Sequence, residues 1–171
     1  VTGLFTYPTH VTLAQSIHAD RQATLPSLAT LVRAAHARGI RIIARLACFR
    51  DEHLAPLRPN LAVQRRGGGA LRGPGGRIDW LDPADEQVQG YLLENVDEAL
   101  AQGIDELQLD YVRYPTEGIG AADFKLAARA TDTVSVITKF VERVHAKTSA
   151  QKVPLSLDIF GVVAWGRELD L

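Results

Sequence analysis

The run GIDELQLDYVRYP, residues 103–115, constrains this chain most. Gly103 is a helix stop, and Ile104 to Leu109 reads as a buried strand that begins directly after it. The strand delivers Asp110, Tyr111, Arg113 and Tyr114 to its C-terminal end. A helix feeding straight into an apolar strand is the signature of repeated βα units and a parallel sheet. In such sheets ligands bind at the C-terminal ends of the strands, so these four side chains mark a candidate site.

The same pattern occurs on both sides of this run. Leu25 to Arg38 reads as a helix, with Thr24 as cap, Pro26 in the first turn and Leu28, Leu31, Val32 and Ala35 on one face. Gly39 stops it, and IRIIARLAC, Ile40 to Cys48, follows as a strand apolar enough to be covered on both sides. Asp85 to Gln102 is the next helix, with Val88, Tyr91, Leu92, Val96, Ala99 and Leu100 inward. A third helix is expected over Asp132 to Lys147, with Val134, Ile137, Phe140, Val141 and Val144 inward, and a short one over Asp123 to Arg129. Val153 to Gly161 is the third strand, and Thr116 to Ala122 is a Gly-rich loop. Val1 to Tyr7 is β-leaning, and His10 to Ala23 reads as a loop. Phe49 to Pro83 is long and irregular, but Leu54, Leu57, Leu61, Val63, Ile78, Trp80 and Leu81 make it a folded loop over a site and not a linker.

A doubly wound sheet and a (β/α)8 barrel both fit this order. No Gly-x-Gly-x-x-Gly turn follows a strand, which weakens the dinucleotide-binding version. GGGALRG lies deep in the long loop, away from any strand-to-helix turn, so it reads as a flexible loop before a phosphate cradle. Strand parity sorts the side chains further. Leu107 and Leu109 share one face, with Gln108 and Asp110 opposite. Leu155, Leu157 and Ile159 share another, with Ser156 and Asp158 opposite. Ile40, Ile42, Ala44 and Leu46 oppose Ile43 and Arg45. In a barrel the apolar sets pack under the helices, and Arg45, Gln108, Asp110, Ser156 and Asp158 converge inside. Adjacent strands lie about 4.8 Å apart. Two acids on nearby strands can therefore sit within the roughly 5 to 9.5 Å spanned by glycosidase carboxylate pairs.

Each residue also has a plainer role. Asp110 can cap a turn, and Asp158 can pair with Arg45. Arg113 can orient a carboxylate or shield it. Trp80, Tyr111 and Tyr114 can stack on sugar or pack in the core. Asp51 can bind hydroxyls or cap the turn that follows it.

Composition narrows the rest. The chain has 171 residues, 46% hydrophobic and 23% charged, which suits one domain with a real core. A formal net charge of -1 does not favour nucleic acid as a partner. The single cysteine, Cys48, excludes an internal disulfide and a cysteine-based zinc site. The five histidines lack metal-ligand spacing, with His36 and His145 expected in solvent on helices. No apolar run approaches the roughly 18 residues of a membrane span. No Gly-x-Ser-x-Gly elbow or serine triad is found, and no signal peptide is visible.

IARLACFRDEHLA, RP at 58–59, the glycine-rich turn, IDWLDP, GIDELQLDYVRYP and LSLDIFG occur in this order. Together they resemble a bacterial family of glycoside hydrolase-like domains, formerly classed as a domain of unknown function. The match runs from about Ile40 to Gly161 and is most specific around Asp110. The resemblance implies a (β/α)8 barrel, cleavage of a poly- or oligosaccharide by a carboxylate pair, and no cofactor. Such barrels need eight strands and typically about 250 residues, so this chain is expected to be a single incomplete barrel domain, residues 1–171, of a longer protein. That protein is expected to be exported or bound to the cell envelope, and its oligomeric state is not read.

On this reading Asp110 is the nucleophile or charge stabiliser, kept ionised by Arg45 or Arg113. Asp158 is the acid/base, or a substrate-binding acid if the true acid lies on a missing strand. Arg45, Asp51, Trp80, Tyr111, Arg113 and Tyr114 line the substrate. Two other readings fit the same residues. One is a non-catalytic carbohydrate-binding barrel. The other is a metal-dependent barrel hydrolase with Asp51, Asp110 and Asp158 as oxygen ligands.

Overall fold

A computed structural model describes residues 2–124 and 132–160. Its centre is a three-stranded parallel sheet in the order β1 (Ile43–Ala47), β3 (Glu106–Asp110), β5 (Leu155–Leu157). Helices α2 (Leu28–His36), α4 (Glu86–Ala101) and α5 (Thr133–Ala150) precede these strands in turn, so the expected helix–strand alternation is present. A parallel pair requires such a crossover, which α4 provides between β1 and β3 and α5 between β3 and β5.

The register fixes which side chains stand together. Arg45 is opposite Gln108, and Gln108 is opposite Ser156; two residues on, Ala47 is opposite Asp110. Leu107 and Leu109, on the other face, are 1% and 0% exposed. They join a core with Leu92, Val96, Phe140 and Val144 from α4 and α5. Phe140 meets Phe49 with ring centroids 5.1 Å apart.

The boundaries differ from the sequence reading in physical detail. Helix α2 is capped by Ser27, whose Oγ accepts from Thr30 N at 3.1 Å. Thr24 is not the cap, because the amides of Thr24 and Leu25 donate to Thr6 O at 3.0 and 2.9 Å and hold that backbone outside the helix. Ile40 is not in β1: its amide donates to Ala35 O in the turn that closes α2, and it is 53% exposed. On α5 the buried stripe is Val136, Phe140, Val144 and Thr148, at steps of four, and Val134 stands off it in solvent. Leu157 and Ile159, expected beneath helices, are 43% and 67% exposed at the outer edge of β5, which no described strand pairs. Residues 12–16, read as loop, form helix α1 (Thr12–Ser16), anchored by Val11, Ala14 and Ile17 in the core. The rest of the short helix expected over Asp123 to Arg129, from residue 125 on, lies outside the described residues, as does Gly161; Asp123 itself is in a strand.

The long segment after β1 is folded. It contains α3 (Leu54–Leu57) and β2 (Gln64–Arg65), and β2 pairs antiparallel with β4 (Ala122–Asp123) from the loop after β3. Leu54, Leu61, Val63 and Leu81 from it are almost fully buried, whereas Leu57 is 47% exposed. Isolated bridges join Arg50 to Trp80 and Ala62 to Leu81, so residues 79–81 run back along the chain leaving β1.

Candidate functional site

Asp110 is the last residue of β3, and the chain turns sharply after it. Tyr111 has φ 51, a left-handed conformation unusual for a side chain of this size. The Tyr111 amide donates to Asp110 Oδ1 at 2.7 Å, and Arg45 Nη2 donates to Asp110 Oδ2. Both carboxylate oxygens are thus held while the side chain keeps 14% of its surface open. The Arg45 side chain is 51% exposed, so the ion pair lies on the open face of the sheet.

Asp158 follows directly on β5. Its amide donates to Leu109 O at 2.8 Å, so the β3–β5 pairing continues to this residue. The register carried one step past Leu109 and Leu157 places Asp158 beside Asp110. One row below, Ser156 Oγ donates to Glu106 Oε1 at 2.7 Å.

The turn after β3 builds an aromatic and cationic wall. Tyr111 meets Trp80 edge-on with ring centroids 5.9 Å apart. The Arg113 guanidinium lies 4.8 Å from the Trp80 ring centre, 5.6 Å from that of Tyr111 and 4.3 Å from that of Phe160. Removal from water lowers the Arg113 pKa, while the nearby carboxylate of Glu117 opposes that shift. On another side of Tyr111, Arg50 approaches the ring to 5.3 Å and its Nη1 lies 3.4 Å from the phenol oxygen.

Arg50 and Asp79 were not singled out from the sequence, although both lie in the motifs LACFRD and IDWLDP. Arg50 Nη2 is 3.2 Å from Glu52 Oε1 and 3.5 Å from Asp79 Oδ2. Asp79 is 4% exposed, and its Oδ1 has no hydrogen-bond partner among the described residues. Burial raises the Asp79 pKa, and Arg50 only partly offsets this. A buried carboxylate beside an arginine has no local sequence periodicity, which is why the pattern of the loop did not reveal it.

Asp51 and Tyr114 sit behind this wall. Asp51 is 5% exposed, and its Oδ1 accepts from His53 N at 2.8 Å and Leu54 N at 2.7 Å, capping the first turn of α3. Burial raises its pKa, and the two amide bonds oppose that shift. Gly3, at φ +65, passes so close that a Cβ there would overlap the Asp51 carboxylate. Tyr114 is 7% exposed and packs edge-on against Phe124 at 4.5 Å between ring centroids. Among the described residues no three His, Cys, Asp or Glu side chains are arranged to hold a metal ion. His36 is bonded to Asp105 at 2.8 Å, and no described helix is long and apolar enough to cross a membrane.

A cavity of about 560 Å³ lies to one side, between residues 2–7 and the free edge of β1. Arg45, Asp51, Tyr91 and Asn95 line it, but Trp80 and Tyr111 do not.

The family model described as "Putative glycosyl hydrolase domain" matches residues 2–170. No curated protein sequence matches the chain. Among solved structures, a hypothetical protein from Ruminiclostridium thermocellum is 28% identical with a TM-score of 0.78, covering 94% of this chain and 80% of that one. An α-L-fucosidase isoenzyme 2 from Paenibacillus thiaminolyticus is 16% identical with a TM-score of 0.64, over 91% of this chain and 25% of that one. An α-galactosidase from Thermus thermophilus is 22% identical with a TM-score of 0.58, over 81% of this chain and 29% of that one. The last two likenesses show a shared α/β fold, over about a quarter of each enzyme's length.

Proposed function

Because the chain belongs to the family of "putative glycosyl hydrolase" domains, we propose that it is one arc of a (β/α)8 barrel that hydrolyses a glycosidic bond with two carboxylates. What supports this reading most is one arrangement: Asp110 at the end of β3, its carboxylate bonded by Arg45, with Asp158 next to it in the residue that follows β5. Glycoside hydrolysis needs two acids flanking the bond, one to protonate the leaving oxygen and one to stabilise or attack the oxocarbenium-like carbon. Asp110 takes the second role. Its two oxygens are fixed by Arg45 and by the Tyr111 amide, which suits a carboxylate that must stay anionic and oriented. Asp158 takes the first role, exchanging a proton with the leaving group or water; that it is exposed and has no fixed side-chain partner among the described residues supports this.

Tyr111 and Arg113 line the substrate in this account, and Trp80, 6% exposed, packs behind them. Asp51 and Tyr114 act from behind, by holding α3 and the turn after β3. The substrate is a carbohydrate, and the arc is completed by strands beyond those described.

The test is hydrolysis of a panel of oligosaccharides by the full-length protein, followed by Asp158→Asn on whichever is cleaved. Loss of turnover with unchanged binding supports the pair. Binding without turnover by the unaltered protein selects a non-catalytic carbohydrate-binding domain.

A further inference from the structure

We infer that Arg113 marks a subsite for a sugar carrying an anionic substituent, a carboxylate or a sulfate; this rests on the carbohydrate reading above.

Charge bookkeeping around the strand ends leads there. Arg45 is bonded to Asp110. Arg50 is paired with Glu52 and Asp79. Arg113 alone among these three arginines has no carboxylate within ion-pair distance among the described residues. Among the described residues its one hydrogen bond runs from Nη1 to Tyr114 O at 3.0 Å, leaving four of its five donors without a partner there. Nε and Nη2 of Arg113 are not among the buried atoms that lack a partner, unlike Arg50 Nε, which is sealed in.

The guanidinium is also pre-organised. Trp80, Tyr111 and Phe160 surround it with ring faces, and these replace water without neutralising the charge. Glu117 and Asp110 lie within electrostatic reach and favour the charged form, while Arg50 opposes it. A fixed, partly desolvated guanidinium with open donors is built for a planar or tetrahedral oxyanion, which it binds in a forked fashion. Tyr111, half-buried beside it and backed by the buried Trp80, offers an apolar face to the ring that carries the anion.

The test measures binding of four glycans to the full-length protein by calorimetry: a polyuronate, its methyl ester, a sulfated galactan and the unsulfated galactan. The acidic member of at least one pair should bind roughly tenfold tighter than its neutral counterpart, the scale of one charge-assisted contact. That preference should fall in 0.5 M salt, collapse in Arg113→Gln and survive in part in Arg113→Lys. Preference within the uronate pair identifies a carboxylate, and within the galactan pair a sulfate. Equal binding of neutral and acidic members overturns the inference and leaves the carbohydrate reading standing. Anion preference unchanged in Arg113→Gln overturns the assignment to Arg113. Binding of none of the four overturns the inference, and failure of the wider oligosaccharide panel would overturn the carbohydrate reading.

Discussion

Arg45 and Asp110 do not face each other across the sheet, yet they are bonded. Arg45 stands opposite Gln108, and Asp110 stands opposite Ala47. The guanidinium reaches two positions along the strand direction to the carboxylate, on the face away from Leu107 and Leu109. A long cationic side chain on the neighbouring strand makes this contact while leaving the space above Asp110 open.

Arg45→Gln therefore keeps the fold and loses the orientation of Asp110. We expect kcat to fall on the order of tenfold to a hundredfold with KM little changed, the pattern of an interaction needed in the transition state. Arg45→Lys should restore part of the loss. Steady-state kinetics on the substrate found for the full-length protein reads both variants.

Tyr111 is expected to act in binding. Tyr111→Ala removes the ring that Trp80, Arg50 and Arg113 surround. Glycan affinity should weaken on the order of tenfold, about 1.4 kcal/mol. Tyr111→Gly should weaken binding equally but melt higher than Tyr111→Ala, because φ 51 suits glycine. Calorimetry and thermal melts separate the two effects.

The stability of the fold should have two pH limbs. Asp51 and Asp79 are raised by burial, so above the ordinary aspartate value near pH 4 the folded state holds protons that the unfolded state has lost. Stability from these groups falls as pH rises from there through their raised values. Asp105 is lowered, first by the Ile42 amide and then by His36, so its contribution is present above the unfolded value and is lost as pH falls through its folded one. Asp79→Asn should flatten the high-pH limb, and Asp105→Asn the acid limb. Melting curves between pH 2 and 8 test each separately.

Phe140 is fully buried against Phe49, between α5 and the chain leaving β1. Phe140→Ala should destabilise by about 3–5 kcal/mol through the cavity it leaves. Denaturant unfolding measures this.

The alternation of helices and strands and the face shared by Gln108, Asp110 and Ser156 were legible because period-two alternation in Ile104–Asp110 and Leu155–Asp158 is a local signal. The inward face of α4 was legible for the same reason at period 3.6. What was not legible depends on contacts between distant segments. Thr24 has a capping side chain, but Thr6 O claims its amide and Ser27 caps α2 instead. Ile40 is apolar, but the turn closing α2 holds it in solvent. Arg50 and Asp79 meet because residues 79–81 fold back on β1, a pairing across almost thirty positions with no periodic trace. Helix α1 is too short for a clear repeat, though Val11, Ala14 and Ile17 at steps of three carried a faint one.

Asp110 carries the proposed chemistry. The most direct measurement is turnover by full-length wild-type protein and by Asp110→Asn on the same cleaved oligosaccharide, with circular dichroism to check folding. Loss of turnover on the order of 10²–10⁴-fold, with folding and glycan binding retained, is the predicted result. Wild-type turnover by a folded Asp110→Asn protein would contradict it.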